Sequence, residues 1–168
     1  MIPQGALSKQ SSVELSSAGE AMIKAYPDGK KFIVQFNMDY CIDRYSYYKS
    51  ALDALKSGKI QLLELSKCYG ESLIIYWLQA WLITLAGYMN FEINESQSKK
   101  TAMFILEECY MLNLAEISLL FKKLMKGYYG QFFNKFNGQI IIRACREYRQ
   151  ERGKQLAKLP NGQIKLNP

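Results

Sequence analysis

Lys122, Lys123 and Lys126 stand close together, and Arg143, Arg146 and Arg149 follow at steps of three. Between the two groups lie Tyr128, Tyr129 and Phe132, in the stretch KGYYGQFFNKF at 126–136. Arg forks onto phosphate oxygens, and Lys meets them as a point charge. A ring beside such cations suits an unpaired base, because stacking is worth about 1–3 kcal/mol per base. These nine residues form the candidate nucleic-acid-binding set. Two plainer readings stand beside it. The arginine run is a solvated helix face, and the rings fill the gap where two helices meet at an angle.

The charge balance of the whole chain favours a polyanion. Net charge is +7. Residues 1–98 hold 9 Lys and Arg against 10 Asp and Glu, a net −1, and residues 99–168 hold 13 against 5, a net +8. The basic excess therefore lies wholly in the C-terminal part, and the partner expected there is nucleic acid, DNA foremost, or an acidic protein surface.

Other chemistries lack their residues. There is no histidine, so Ser-His-Asp and Cys-His nucleophile systems and imidazole acid–base work are excluded. No GxxxxGK[ST] or GxGxxG loop occurs, and no DxDxDG run. Glu107 and Glu108 are adjacent and diverge by about 100° around a helix. Cys41, Cys68, Cys109 and Cys145 are each separated by 27 positions or more, which does not suit zinc and does suit reduced, buried thiols of a cytosolic protein. No enzyme activity, cofactor or small-molecule substrate is expected. The first twenty residues lack a basic start followed by an apolar run, so no signal peptide is expected.

The elements that must position the basic residues are helical. Residues 1–19 are polar and expected to be flexible, and a short helix runs from Glu20 to Tyr26 before the Pro27-Asp28-Gly29 turn. FIVQF at 32–36 suits a short strand but lacks an evident partner. Asp43 is a suitable N-cap for RYSYYKSALDALKS, stopped by Gly58, and IQLLELSKCY at 60–69 is stopped by Gly70. SLIIYWLQAWLITLAGYMN at 72–90 is apolar nearly all round. Its apolar run rises roughly 25 Å, short of the roughly 30 Å hydrocarbon core, so it is expected as a central buried helix with no membrane partner. Asn94 with Gln97, and Asn113 with Glu116, have capping-box spacing. Leu114, Ile117, Leu120, Phe121 and Leu124 form a buried stripe, and Gly127 ends that helix.

The last helix begins after Asn137-Gly138 and reaches about Leu159. With Ile141 at 0°, Ala144, Cys145 and Tyr148 fall within about 60° and form the core face. Arg143, Arg146 and Arg149 fan across about 200°, 140° and 80°, while Arg152 falls near 20°. Arg143 is spaced to pair with Glu147, and Glu151 with Lys154; Arg146 and Arg149 have no acidic neighbour at helical spacing. Phe132, Phe133 and Phe136 are expected to enter this helix. The fold class is all-α: a compact single-domain bundle of about six helices, with at most a minor strand near 32–36. A flexible segment spans 1–19, the helical domain 20–159, and a frayed tail 160–168.

From about Leu65 to Gly153 the chain resembles a group of small, uncharacterised helical proteins carried by phages and integrated mobile elements of gut bacteria. The matching residues are LSKCYG, the long apolar helix, Gln97 opening the next helix with TAMFIL, then LNLAEISLLFKKLMKGYYGQFF and the closing YRQER. The resemblance implies an accessory role in the element's DNA replication, loosely like that of small helicase-loader domains. It also implies a replication protein as partner and the cytoplasm of a bacterial host. A protein–protein adaptor or virion component using the basic C-terminal face is the alternative function.

Overall fold

Asp28 accepts a hydrogen bond from Lys30 N at 2.9 Å and starts a helix where a strand was an open alternative. Phe32 within that helix and Phe36 at its C-cap are one turn apart and both buried. Phe32 stacks on Tyr69, with centroids 4.6 Å apart. The computed structural model describes residues 14–132 and 135–160. Among them the chain forms nine α-helices and no strand. They are α1 (Ser17–Ala25), α2 (Gly29–Gln35), α3 (Met38–Arg44), α4 (Ala51–Lys56), α5 (Leu62–Tyr69), α6 (Glu71–Tyr88), α7 (Glu95–Cys109), α8 (Leu114–Met125) and α9 (Gly138–Ala157). The all-α class holds, with more and shorter helices in the N-terminal half than the sequence suggested.

Local capping explains the extra breaks. Ser16 accepts from Gly19 N, so α1 starts before Glu20. Asn37 accepts from Tyr40 N at 2.9 Å and opens α3. The helix expected after Asp43 is instead split: α3 ends at Arg44, and Ser50 starts α4 by accepting from Asp53 N at 3.1 Å. Both expected capping boxes are present, Asn94 with Gln97 and Asn113 with Glu116. The expectations for residues 1–13 and for the tail beyond Pro160 lie outside the described residues.

α8, not α6, is the most enclosed helix. It contacts α3, α4, α6 and α9, and its polar Glu116, Ser118 and Lys123 are buried along with its apolar stripe. α6 buries Ile74, Trp77, Leu78, Trp81, Leu82 and Leu85 but exposes Tyr76, Ile83 and Tyr88, so it is not enclosed on every side as its composition suggested. The indole nitrogens of Trp77 and Trp81 both donate to the Phe36 carbonyl, at 2.7 and 3.0 Å, and fasten α6 to the end of α2. Among the described residues no helix is long and apolar enough to cross a membrane.

The start of α8 is tied into the bundle at several atoms. α5 has no side-chain cap; its first free N–H groups, on Leu62 and Leu63, donate instead to the carbonyls of Leu112 and Tyr110, both at 2.9 Å. Leu114 N donates to Ile60 O at 3.0 Å, and Asn113 Nδ2 reaches the Ala54 carbonyl at the end of α4 at 3.0 Å. Orphan helix-terminal groups thus satisfy one another across the fold. This holds α8 in place, and with it the lysines of its last turn.

Candidate functional site

The connection between α8 and α9 begins with a Schellman closure. Gly127 N donates to Leu124 O and Tyr128 N to Lys123 O, each at 3.0 Å. The geometry needs a left-handed residue at the first position past the cap, and Gly127 has φ +72°. Gly130, at φ +112°, is the second left-handed point. A Cβ there would stand 3.0 Å from the Arg143 guanidinium, which uses the open approach to donate to Tyr129 O at 2.8 Å.

This path separates the three candidate rings. Tyr128 is 67% exposed, whereas Tyr129 and Phe132 are 6% and 9% exposed. Phe132 packs on Phe91 with centroids 5.5 Å apart. Burial raises the Tyr129 phenol well above its ordinary pKa. For Tyr129 and Phe132 the gap-filling reading is therefore the correct one, and neither offers a face to a base. Phe136 is half-buried and precedes α9 rather than entering it; Phe133 lies outside the described residues.

The cations also divide. Lys123 is buried, with Nζ 3.1 Å from Glu151 Oε2 and 4.9 Å from the Tyr128 ring centroid. It braces the underside of Tyr128 and is withdrawn from the phosphate-contacting set. Its pairing also replaces the expected Glu151–Lys154 pair. On α9, Ile141, Ala144, Cys145 and Tyr148 are wholly buried, as the helical angles required. Arg143 lies 3.7 Å from Glu147, the expected helical pair.

Arg146 and Arg149 lack acidic partners on their own helix but share one on α7. Arg146 Nη2 meets Glu108 Oε1 at 2.9 Å, and Arg149 Nη1 meets Oε2 at 3.1 Å. Hydrogen bonding from Arg146, aided by the charges of both arginines, holds the Glu108 carboxyl below its ordinary range against the opposing effect of partial burial. Arg152 turns inward to Glu116. Both arginines of the first pair keep exposed side chains and retain donors for a second anion.

The remaining lysines gather around a residue outside the basic C-terminal region. Lys49, in the turn before α4, joins Lys122, Lys126 and Tyr128 around a hollow of about 240 Å3, with Ser50, Leu119 and the Lys123–Glu151 pair in its wall. Among the described residues none of Lys49, Lys122 and Lys126 forms an ion pair. Partial burial depresses the Lys122 pKa, and the neighbouring ammonium groups of Lys49 and Lys126 depress it further. No local signal marks Lys49, which sits in the nearly neutral half of the sequence.

A second cationic hollow, of about 670 Å3, lies between α7 and the start of α9. Lys100, Arg143 and Arg146 surround an apolar floor that includes Phe104, Phe136 and Ile142. Cys41, Cys109 and Cys145 are buried and Cys68 half-buried, and all four are free thiols. Burial pushes the Cys41 thiol up to about 12 and the Cys68 thiol up to about 11. Comparison of the chain with protein-family models, curated proteins and solved structures finds no match.

Proposed function

We propose that this protein is a non-enzymatic accessory protein that binds nucleic acid, DNA foremost, through the basic face around α8 and α9. One observation carries the reading: Lys49, Lys122 and Lys126 converge on a hollow whose lining carboxylate, Glu151, is paired with Lys123 instead of with them. A cluster meant only for solubility gains nothing from such crowding, whereas a polyanion relieves it and releases counterions on binding. Arg143, Arg146 and Arg149 extend the cationic surface along α9, each with an exposed side chain. The resemblance of residues 65–153 to proteins of phages and mobile elements supports a part in DNA replication, in a bacterial cytoplasm, as the setting of this binding. Helicase recruitment is its narrower form.

The test is fluorescence anisotropy of labelled DNA from about 50 to 200 mM salt, the range over which phosphate contacts lose most affinity. Saturable binding with a steep logarithmic salt slope supports the reading. Absence of binding at the low-salt end removes it. A second reading rests on the cleft between α7 and α9, whose apolar floor and cationic rim suit an acidic protein segment. Such an adaptor would hold its partner when DNA is added in excess.

A further inference from the structure

We infer that the hollow at the end of α8 is a single-strand site, in which Tyr128 stacks one unpaired base and Lys49, Lys122 and Lys126 hold the adjoining phosphate. This rests on the nucleic-acid reading and narrows it to one strand form and one place.

The geometry supplies both halves of the site. Tyr128 stands on the closure that ends α8, and its backbone is held by the bond from its N–H to Lys123 O. One side of its ring is occupied by the buried Lys123 ammonium, at 4.9 Å from the centroid. Tyr129 meets the ring edge-on, with planes inclined at 71°. Those contacts leave two-thirds of the residue open to solvent. An exposed ring fixed from beneath loses little freedom when a base lies on it, and each base has a π-face to offer. Bases inside a duplex already stack on their neighbours and present only edges. An unpaired base is therefore the fitting occupant.

The three lysines line the same hollow as Tyr128. Their hollow of about 240 Å3 has room for a phosphate beside Tyr128, and the one carboxylate among its lining residues, Glu151, is held by Lys123 at 3.1 Å. Lys122 lies in the last turn of α8 and Lys126 is its C-cap, while Lys49 comes from the segment before α4, so the three lysines reach the hollow from two parts of the chain. The cation–π contact gives Lys123 a supporting part without any phosphate contact.

The experiment uses the full chain and three labelled probes of equal length: an oligothymidylate strand, the same strand with abasic sites, and a duplex. Anisotropy titrations compare wild type with Tyr128→Phe, Tyr128→Leu and Lys49→Gln, each checked to melt cooperatively and no lower than wild type. The intact strand is expected to bind wild type and Tyr128→Phe alike, and Tyr128→Leu roughly 5- to 140-fold more weakly. The abasic strand and the duplex are expected to show no dependence on Tyr128. Lys49→Gln is expected to lower the single-strand salt slope by about 0.7, the contribution of one phosphate contact.

Equal binding of intact and abasic strands, or indifference of the intact strand to Tyr128→Leu, overturns the stacked-base site while leaving DNA binding in place. Displacement of the strand by polyglutamate at equal charge concentration also overturns it and favours an acidic protein partner. Failure of all three probes to bind at about 50 mM salt removes the broader reading and this site with it.

Discussion

Arg152 Nε donates to Glu116 Oε2 across 2.7 Å, and Glu116 is wholly buried. The same carboxylate caps its own helix by accepting from Asn113 N at 3.2 Å. One side chain thus closes the start of α8 and anchors the last turns of α9. Removing one partner of a buried pair leaves the other charge uncompensated, at a cost of about 3–5 kcal/mol. Arg152→Ala is expected to destabilise the fold by that order, read from urea denaturation at pH 7. Burial already raises the Glu116 pKa, and the Arg152 contact opposes the rise. Without Arg152 the folded pKa climbs further, so the folded state holds a proton that the unfolded chain releases. The variant's deficit should therefore be smallest below the ordinary glutamate pKa and grow as pH rises through the folded value. A deficit that does not vary with pH would contradict this account.

Glu108 is the hinge of the exposed arginine pair. Its folded pKa lies below its ordinary value, so its contribution to stability is present above that value and is lost as pH falls through the folded one. Arg146→Gln is expected to move the Glu108 carboxyl resonance back towards ordinary titration in an NMR pH series. Glu108→Gln releases both guanidinium groups. If the face of α9 meets phosphate, that variant binds DNA more tightly than wild type, and its salt slope becomes steeper.

Lys49 and Lys126 should respond differently to neutralisation, although both crowd Lys122. Lys126 caps the carbonyl end of α8, where a cation is favoured by the helix dipole. Lys49 immediately precedes the Ser50 cap at the amino end of α4, where a cation has no such benefit. Lys49→Gln is expected to stabilise the free protein by about 0.2–0.5 kcal/mol, the size of a like-charge helical pair. Lys126→Gln should change stability little. Thermal melts at low and high salt would check both, because screening must shrink the Lys49 effect.

The four thiols should report opening of the fold. Thiolate is the reactive form, and burial suppresses it. Cys68 alone is partly accessible, with its thiol raised to about 11. Native protein treated with a chromogenic disulfide at pH 8 is expected to react slowly at Cys68 and at the three other thiols only after unfolding. Rapid modification of Cys109 or Cys145 in native protein would show that α7 and α9 separate readily.

Several features were legible in the sequence because they rest on interactions between residues three or four apart. The Asn94–Gln97 and Asn113–Glu116 capping boxes, the Gly127 stop and the core face of α9 are all of this kind. Polar spacing near a helix start, or a glycine at its end, acts on the same turn of backbone that it punctuates. The residues at 32–36 were less legible because β-branched and aromatic side chains suit either a strand or a buried helix turn. Asp28 and the contact of Phe32 with Tyr69 decide for the helix.

The sequence by itself determined the all-helical class, the basic C-terminal excess and which face of α9 turns inward. Only the tertiary structure decided which cations are paired. Glu108 is 38 and 41 positions from its two arginines, Glu116 is 36 from Arg152, and Lys123 is 28 from Glu151. It also brought Lys49 beside Lys122 and Lys126, and sorted exposed Tyr128 from buried Tyr129. The physical reason is that charge and exposure at a site are sums over neighbours in space. Helix packing assembles those neighbours from segments whose local sequences carry no record of one another.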